Sequence, residues 1–206
     1  MSHFKSDLHK ESILSEFLDA QYIEANLNMF RIKDLSLQHK GVDLIFYRDA
    51  ALSFKIDEKA QLHYLNKGLP TFALEIDYLK DEIQKKGWLF NTHKITEIYA
   101  FIFSIYLKNN LTELKKVDDI LSCDLIFVNR LRLINELSLL GINHDLCKAK
   151  SKQLRMDLES SKLEHPSGFN FQISRHLEEQ PVNLIVRKSF LEKIGQQYLF
   201  KAKIKN

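Results

Sequence analysis

The sequence predicts an α/β protein, a mixed central β-sheet flanked by helices. Three observations point that way: an amphipathic helical period near the N-terminus, several short β-prone runs after it, and alternation of strand-like and helix-like segments toward the end. Composition agrees, because 206 residues with 45% hydrophobic, 28% charged and 11% aromatic content describe a soluble globular chain. Disorder, collagen and a coiled-coil rod are excluded. With 6 Gly and 3 Pro, little of the chain is available for linkers, so most of it belongs in regular elements.

The elements follow in order. Leu8, Ile13, Leu14, Phe17, Leu18 and Tyr22 recur at three-to-four spacing between Lys5 and Asn26, which predicts a helix with one apolar face. Residues 41–47 (GVDLIFY) and 51–57 (ALSFKID) are β-prone runs separated by Arg48-Asp49-Ala50, the pattern of an antiparallel hairpin. Residues 69–76 alternate Phe72, Leu74 and Ile76 with Thr71, Ala73 and Glu75, a third strand candidate that would carry Glu75 toward the hairpin if it lay beside the second hairpin strand. Residues 98–106 (IYAFIFSIY) are almost continuously apolar, as a strand buried on both faces requires. Residues 124–129 predict another strand, running into a helix through Leu133 and Leu137 that Gly141 stops. The polar stretch 148–168, with Pro166 and Gly168, predicts a long loop or an exposed helix. Residues 181–186 predict a strand, and Ser189 with Glu192 has capping-box spacing at the start of a last helix, Phe190 to about Phe200.

The chain carries 30 Lys and Arg against 27 Asp and Glu, a formal charge of +3. Residues 148–206 hold 12 basic and 6 acidic residues, whereas residues 1–147 hold 18 and 21. A body of 1–147 and a basic extension of 148–206 packed on the same domain is the division this suggests. A slightly acidic body followed by a basic segment suits a protein that holds a cation and meets a polyanion. Cys123 and Cys147 lack CxxC spacing, so a reducing, cytoplasmic setting is expected, with both thiols acting as small core hydrophobes. The start, Met-Ser-His-Phe-Lys-Ser-Asp, has no apolar signal region, and no run of about 18 apolar residues suggests a membrane span.

One constellation carries chemistry. Asp43 lies on the first hairpin strand and Asp57-Glu58-Lys59 at the end of the second, 14 positions later. Side chains alternate along a strand, so Lys55, Asp57 and Lys59 share one face and Glu58 takes the other. Pairing the strands brings Asp43 alongside Asp57, and two adjacent carboxylates repel each other unless a cation lies between them. Mg²⁺ or Mn²⁺ suits such a pair, since hard cations take oxygen ligands and are held by one or two carboxylates plus substrate phosphate. A neighbouring lysine can position water and offset charge growing on a phosphate.

These residues resemble the D-x(n)-(D/E)-x-K signature of the PD-(D/E)xK nuclease superfamily, the restriction-endonuclease-like fold that also includes Holliday-junction resolvases. The resemblance covers residues 5 to about 107 and implies a core of helix, three strands, helix and strand. It also implies that Asp43 and Asp57 bind the metal, that the Glu58 main-chain carbonyl completes its ligation, and that Lys59 orients the hydrolytic water. Family members often carry a further glutamate on the first helix, for which Glu11 is the nearest candidate. Val42 stands where the motif's name has proline. Glu58 stands where members usually have an apolar residue packed under the sheet, and it therefore requires a partner. Glu113-Leu-Lys115 repeats the tripeptide in polar, helix-like surroundings and receives no role.

Glu75 is a candidate third acidic ligand, and Gln61 a polar neighbour able to touch phosphate or base. Lys55, Lys148, Lys150, Lys152 and Arg155 are candidates to follow a nucleic-acid backbone. His144 and Cys147 lack the second ligand pair of a structural zinc site. The function expected is a Mg²⁺- or Mn²⁺-dependent deoxyribonuclease, an endonuclease of restriction or resolvase kind, acting on DNA without a membrane. A homodimer is implied by the resemblance alone. The alternatives are a nuclease-fold protein that binds nucleic acid without cleaving it, and a protein-interaction module whose acidic pair is only surface.

Overall fold

The computed structural model describes residues 3 to 203. Met1 and Ser2 of the start considered above, and Lys205 of the basic segment, lie outside the described residues. In chain order the elements are α1 (His3–Glu24), β1 (Met29–Arg31), α2 (Leu35–His39), β2 (Leu44–Tyr47), β3 (Ser53–Ala60), β4 (Thr71–Lys80), β5 (Ile83–Lys86), β6 (Ile98–Leu107) and β7 (Ile120–Asn129). There follow α3 (Arg130–Leu139), α4 (His144–Met156), β8 (Lys162–Glu164), β9 (Asn170–Ile173), β10 (Val182–Arg187), α5 (Lys188–Ile194) and β11 (Gln196–Lys201). The α/β class holds. Among the described residues no helix is long and apolar enough to cross a membrane.

The chain forms two compact units from interleaved stretches: Met1–Leu69, Thr96–Asn129 and Gly195–Asn206 in the first, Pro70–Ile95 and Arg130–Ile194 in the second. The division expected between residues 147 and 148 does not occur. Cys147, Ser151 and Leu154, all fully buried, form one seam of the continuous helix α4, so no boundary can fall inside it. The charge split changes accordingly. The first unit has 15 basic and 15 acidic residues and the second 15 and 12, so the whole excess of +3 belongs to the second unit.

The first unit is a six-stranded mixed sheet in the order β1-β2-β3-β6-β7-β11. β2 and β3 form the expected antiparallel hairpin, with Leu44 opposite Ile56 and Phe46 opposite Phe54. Asp49 closes its turn by accepting from the Ala51 and Leu52 amides, an Asx turn that fixes the register. β3 then pairs in parallel with β6, Asp57 opposite Tyr99 and Lys59 opposite Phe101. β6 is buried nearly throughout, as its apolar run requires. Ser104, in the left-handed region at φ 48°, breaks its ladder with β7 between Phe103 and Tyr106. Ile13, Leu14, Phe17, Leu18 and Tyr22 of α1 pack with Leu44, Ile56, Ala100 and Ile102 in one core.

The second unit is an all-antiparallel sheet, β5-β4-β10-β9-β8. The strand predicted over residues 69–76 exists as β4, but it lies in this sheet and not beside the hairpin. β6 takes that place, because a strand apolar on both faces fits between two neighbours better than one that alternates. No α-helix forms between β3 and β6, where the resemblance implies one. The last helix also differs from expectation. α5 ends at Ile194, and residues 196–201 continue as β11 along β7. Ser189 lies within α5 and does not cap it. The polar stretch 148–168 is the rest of α4 followed by β8 and the turn before β9.

Candidate functional site

The hairpin places Asp43 just before β2, where its amide donates to the Ile56 carbonyl at 2.8 Å. Its Oδ2 accepts from the Glu58 amide at 2.8 Å, so the first carboxylate is tied to the backbone of the motif strand. Asp57 is 2% exposed, and its Oδ1 accepts from Lys59 Nζ at 2.5 Å. Its Oδ2 is buried with no hydrogen-bond partner among the described residues. The aromatic residues in register with Asp57 and Lys59 on β6, Tyr99 and Phe101, are fully buried. Burial first, then the Asp57 charge, pushes the Asp43 carboxyl up from 3.8 to about 7; the Glu58 amide and Lys59 pull the other way.

Glu58 explains how a carboxylate occupies the position between the two motif residues. It points to the opposite face, where Tyr22 donates to Oε1 at 2.8 Å and Arg31 to Oε2 at 2.7 Å. Arg31 also forks onto Asp19 at 2.7 and 2.9 Å. An acid buried beneath the sheet is tolerable when it is paired and fully hydrogen-bonded. The Tyr22 hydroxyl is pushed well up by its own burial and then by Glu58. The Glu58 side chain is thereby engaged away from the site, leaving its main chain as the group able to serve there. Neither Arg31 nor Tyr22 was singled out from sequence as a partner for Glu58. The signal available was the mismatch itself, a charged residue where packing demands an apolar one.

The remaining candidates separate. Lys55 shares the face of Asp57, but its Nζ lies 3.4 Å from Glu97 Oε2 and its amide donates to the same oxygen at 2.9 Å. Gln61 directly follows β3, and its amide donates to the Ile102 carbonyl at 3.2 Å. Glu11 is exposed on α1. That helix reaches Glu58 through Tyr22, 11 residues further on, roughly 16 Å along the axis at 1.5 Å per residue. Since Tyr22 also lies on the sheet face opposite Asp57, the structure does not bring Glu11 to the pair. Glu75 belongs to β4 in the second sheet, opposite Asn183 of β10, so it is not on a strand neighbouring Asp57.

Lys148, Lys150, Lys152 and Arg155 belong to α4 in the second unit. Lys150 donates to Gln153 at 3.2 Å. Arg155 is no surface cation: it holds the buried Asp77, with Nε at 3.2 Å, and donates to the Gln180 carbonyl. Its expected role on a nucleic-acid backbone gives way to this buried pair. Glu113 and Lys115 form an exposed ion pair at 2.9 Å. Cys123 and Cys147 are buried free thiols, each pushed up to about 12, chiefly by burial, and thus poor nucleophiles.

Among the described residues no group of three or more His, Cys, Asp and Glu side chains gathers as a ready metal cage. The pair is nevertheless suited to a hard cation, because one buried carboxylate oxygen of Asp57 lacks any donor and a second carboxylate is near enough to raise repulsion. Such a set matches Mg²⁺, which retains waters and relies on one or two carboxylates. In comparison with known proteins, no family model, curated protein or solved structure matches the chain.

Proposed function

We propose that this chain is a Mg²⁺- or Mn²⁺-dependent nuclease of the PD-(D/E)xK kind, hydrolysing phosphodiester bonds in DNA. The observation that carries the reading is the buried Asp57 Oδ2, without a hydrogen-bond partner among the described residues, beside a second carboxylate and a lysine. Asp43 and Asp57 would hold the ion with the Glu58 main-chain carbonyl. When bound, the ion would polarise a phosphoryl oxygen and acidify an attacking water. The Glu58 amide holds Asp43 in place, and the Arg31 and Tyr22 contacts fix Glu58 from beneath. Lys59 is a quarter exposed and so reaches solvent. An ammonium has three donors, enough to hold Asp57 and to orient a water, and its charge offsets negative charge growing on the phosphate.

Plasmid, linear, single-stranded and branched DNA are incubated with the protein in Mg²⁺, Mn²⁺ or EDTA, beside Asp57→Ala and Lys59→Ala. Metal-dependent cleavage by the wild type, lost in both variants, is expected. Cleavage that survives both substitutions refutes the assignment. One observation favours the non-catalytic alternative, the close Lys59–Asp57 ion pair at 2.5 Å, which offsets the Asp57 charge without a metal. That version gives DNA binding indifferent to metal and to Asp57→Ala.

A further inference from the structure

The second unit contains a groove that belongs to neither carboxylate. It has a volume of about 530 Å³ and lies between β5 and α4, with Lys85 and Lys86 on one side and Lys148 and Lys152 on the other. Lys148 and Lys152 are four residues apart on the helix, so they present their charges from one face. All four lysines are exposed. The acid lining the groove, Asp77, is already held by Arg155, so its charge does not neutralise them. Four exposed lysines from two elements line the one groove and leave a local positive field that favours a polyanion. The unit that contains the groove also carries the whole charge excess of the chain.

We infer that this groove binds the phosphodiester backbone of nucleic acid, with Lys85, Lys86, Lys148 and Lys152 as its phosphate contacts. Contacts of this kind are sequence-independent, and they set position and affinity in place of base readout. Lys85 and Lys86 add a second wall to the two α4 lysines, while Arg155 serves the groove only through Asp77. Neutralising four phosphates lowers the slope of log K against log salt by about 3.6. The same contacts make wild-type affinity fall about 150-fold between 50 and 200 mM salt. The inference rests on the nuclease reading for its choice of polyanion, but its test does not require cleavage.

Binding of a labelled 30-base-pair duplex is measured in EDTA, by anisotropy across that salt range. The proteins are the full chain, the quadruple Lys85→Gln, Lys86→Gln, Lys148→Gln, Lys152→Gln variant, and a control with Lys33, Lys40, Lys67 and Lys116 changed to Gln. Thermal melts establish that each is folded, and the Lys85/Lys86 and Lys148/Lys152 double variants stand in if the quadruple does not fold. Loss of most of the affinity with a flattened salt slope in the groove variant, and little change in the control, is expected. Equal affinity and slope in the groove variant and wild type overturns the inference, as does absence of duplex binding at 50 mM salt. Binding to vesicles containing phosphatidylserine but not to the duplex also overturns it and assigns the groove to lipid headgroups. Hydrolysis of bis(p-nitrophenyl) phosphate in Mn²⁺ tests the carboxylate site separately, so either reading can fail alone.

Discussion

Replacing Asp43 by Asn tests the carboxylate pair without any substrate. Asn has nearly the same shape, and its Oδ1 can still accept from the Glu58 amide that Asp43 engages at 2.8 Å. What changes is the charge. The Asp43 carboxyl is displaced from 3.8 to about 7, first by burial and then by Asp57. An acid raised in the folded state keeps its proton at pH values where the unfolded chain has released it, so folding weakens as pH climbs between those values and levels off above about 7. At 1.36 kcal/mol per pH unit, the penalty reaches about 4 kcal/mol. Asp43→Asn never ionises, so it matches the wild type near pH 4 and exceeds it by up to about 4 kcal/mol at pH 8. For a chain of this length that corresponds to roughly 8 to 16 °C in Tm. The assay is a series of thermal melts of both proteins from pH 4 to 8. The difference between them cancels carboxylates that titrate identically in both. Mg²⁺ at about 100 times its Kd should return about 2.7 kcal/mol to the wild type at pH 8 and much less to Asp43→Asn. A Tm difference that stays constant over the whole range refutes the raised Asp43 carboxyl.

Two further substitutions probe what supports the site and the groove. Arg31→Ala leaves Glu58, with a side chain 10% exposed, without its cation and with the Tyr22 hydroxyl as its remaining side-chain donor among the described residues; denaturant melts should show a loss of about 3 kcal/mol, most of it recovered in the Arg31→Met, Glu58→Met double variant. Arg155→Ala strands Asp77, whose side chain is 8% exposed, and should cost a similar amount, with Asp77→Asn in the same chain recovering part of it by urea denaturation.

The sequence was most informative where a local rule decided the outcome. The hairpin was legible because Asp49 and its neighbours make a turn between two β-prone runs, and the pairing of Leu44 with Ile56 follows from turn and alternation together. β6 was legible because continuous apolarity has few other destinations. Sheet membership was not legible in this way. The alternation over residues 69–76 states which face is buried but not which sheet buries it, and Glu75 was misplaced for that reason. The end of α5 was missed because Leu191, Ile194 and Tyr198 keep helical spacing, although Tyr198 and Phe200, two apart, fit a strand, and Gly195 alone marks the change. α4 was obscured by its lysines, which hide a narrow seam of small and aliphatic residues. Arg155 read as one more surface cation because its partner Asp77 is 78 positions earlier, beyond the reach of any periodicity.

The same residues argue against the carboxylate pair as incidental surface charge. A surface pair would be solvated, screened and free of the penalty that ionisation carries at Asp43. Asp57 is instead 2% exposed, with the fully buried Tyr99 opposite it on the next strand. Lys59 offsets one negative charge through Asp57 Oδ1, which accounts for a single ionised acid. It does not account for a second acid beside the first, or for the buried Oδ2 that accepts from no donor among the described residues. Protonating Asp43 relieves the repulsion only below about pH 7. Above that value the proposed divalent cation would relieve it for both groups at once. Burial and the missing donor thus support the proposed cation independently of the (D/E)-x-K spacing.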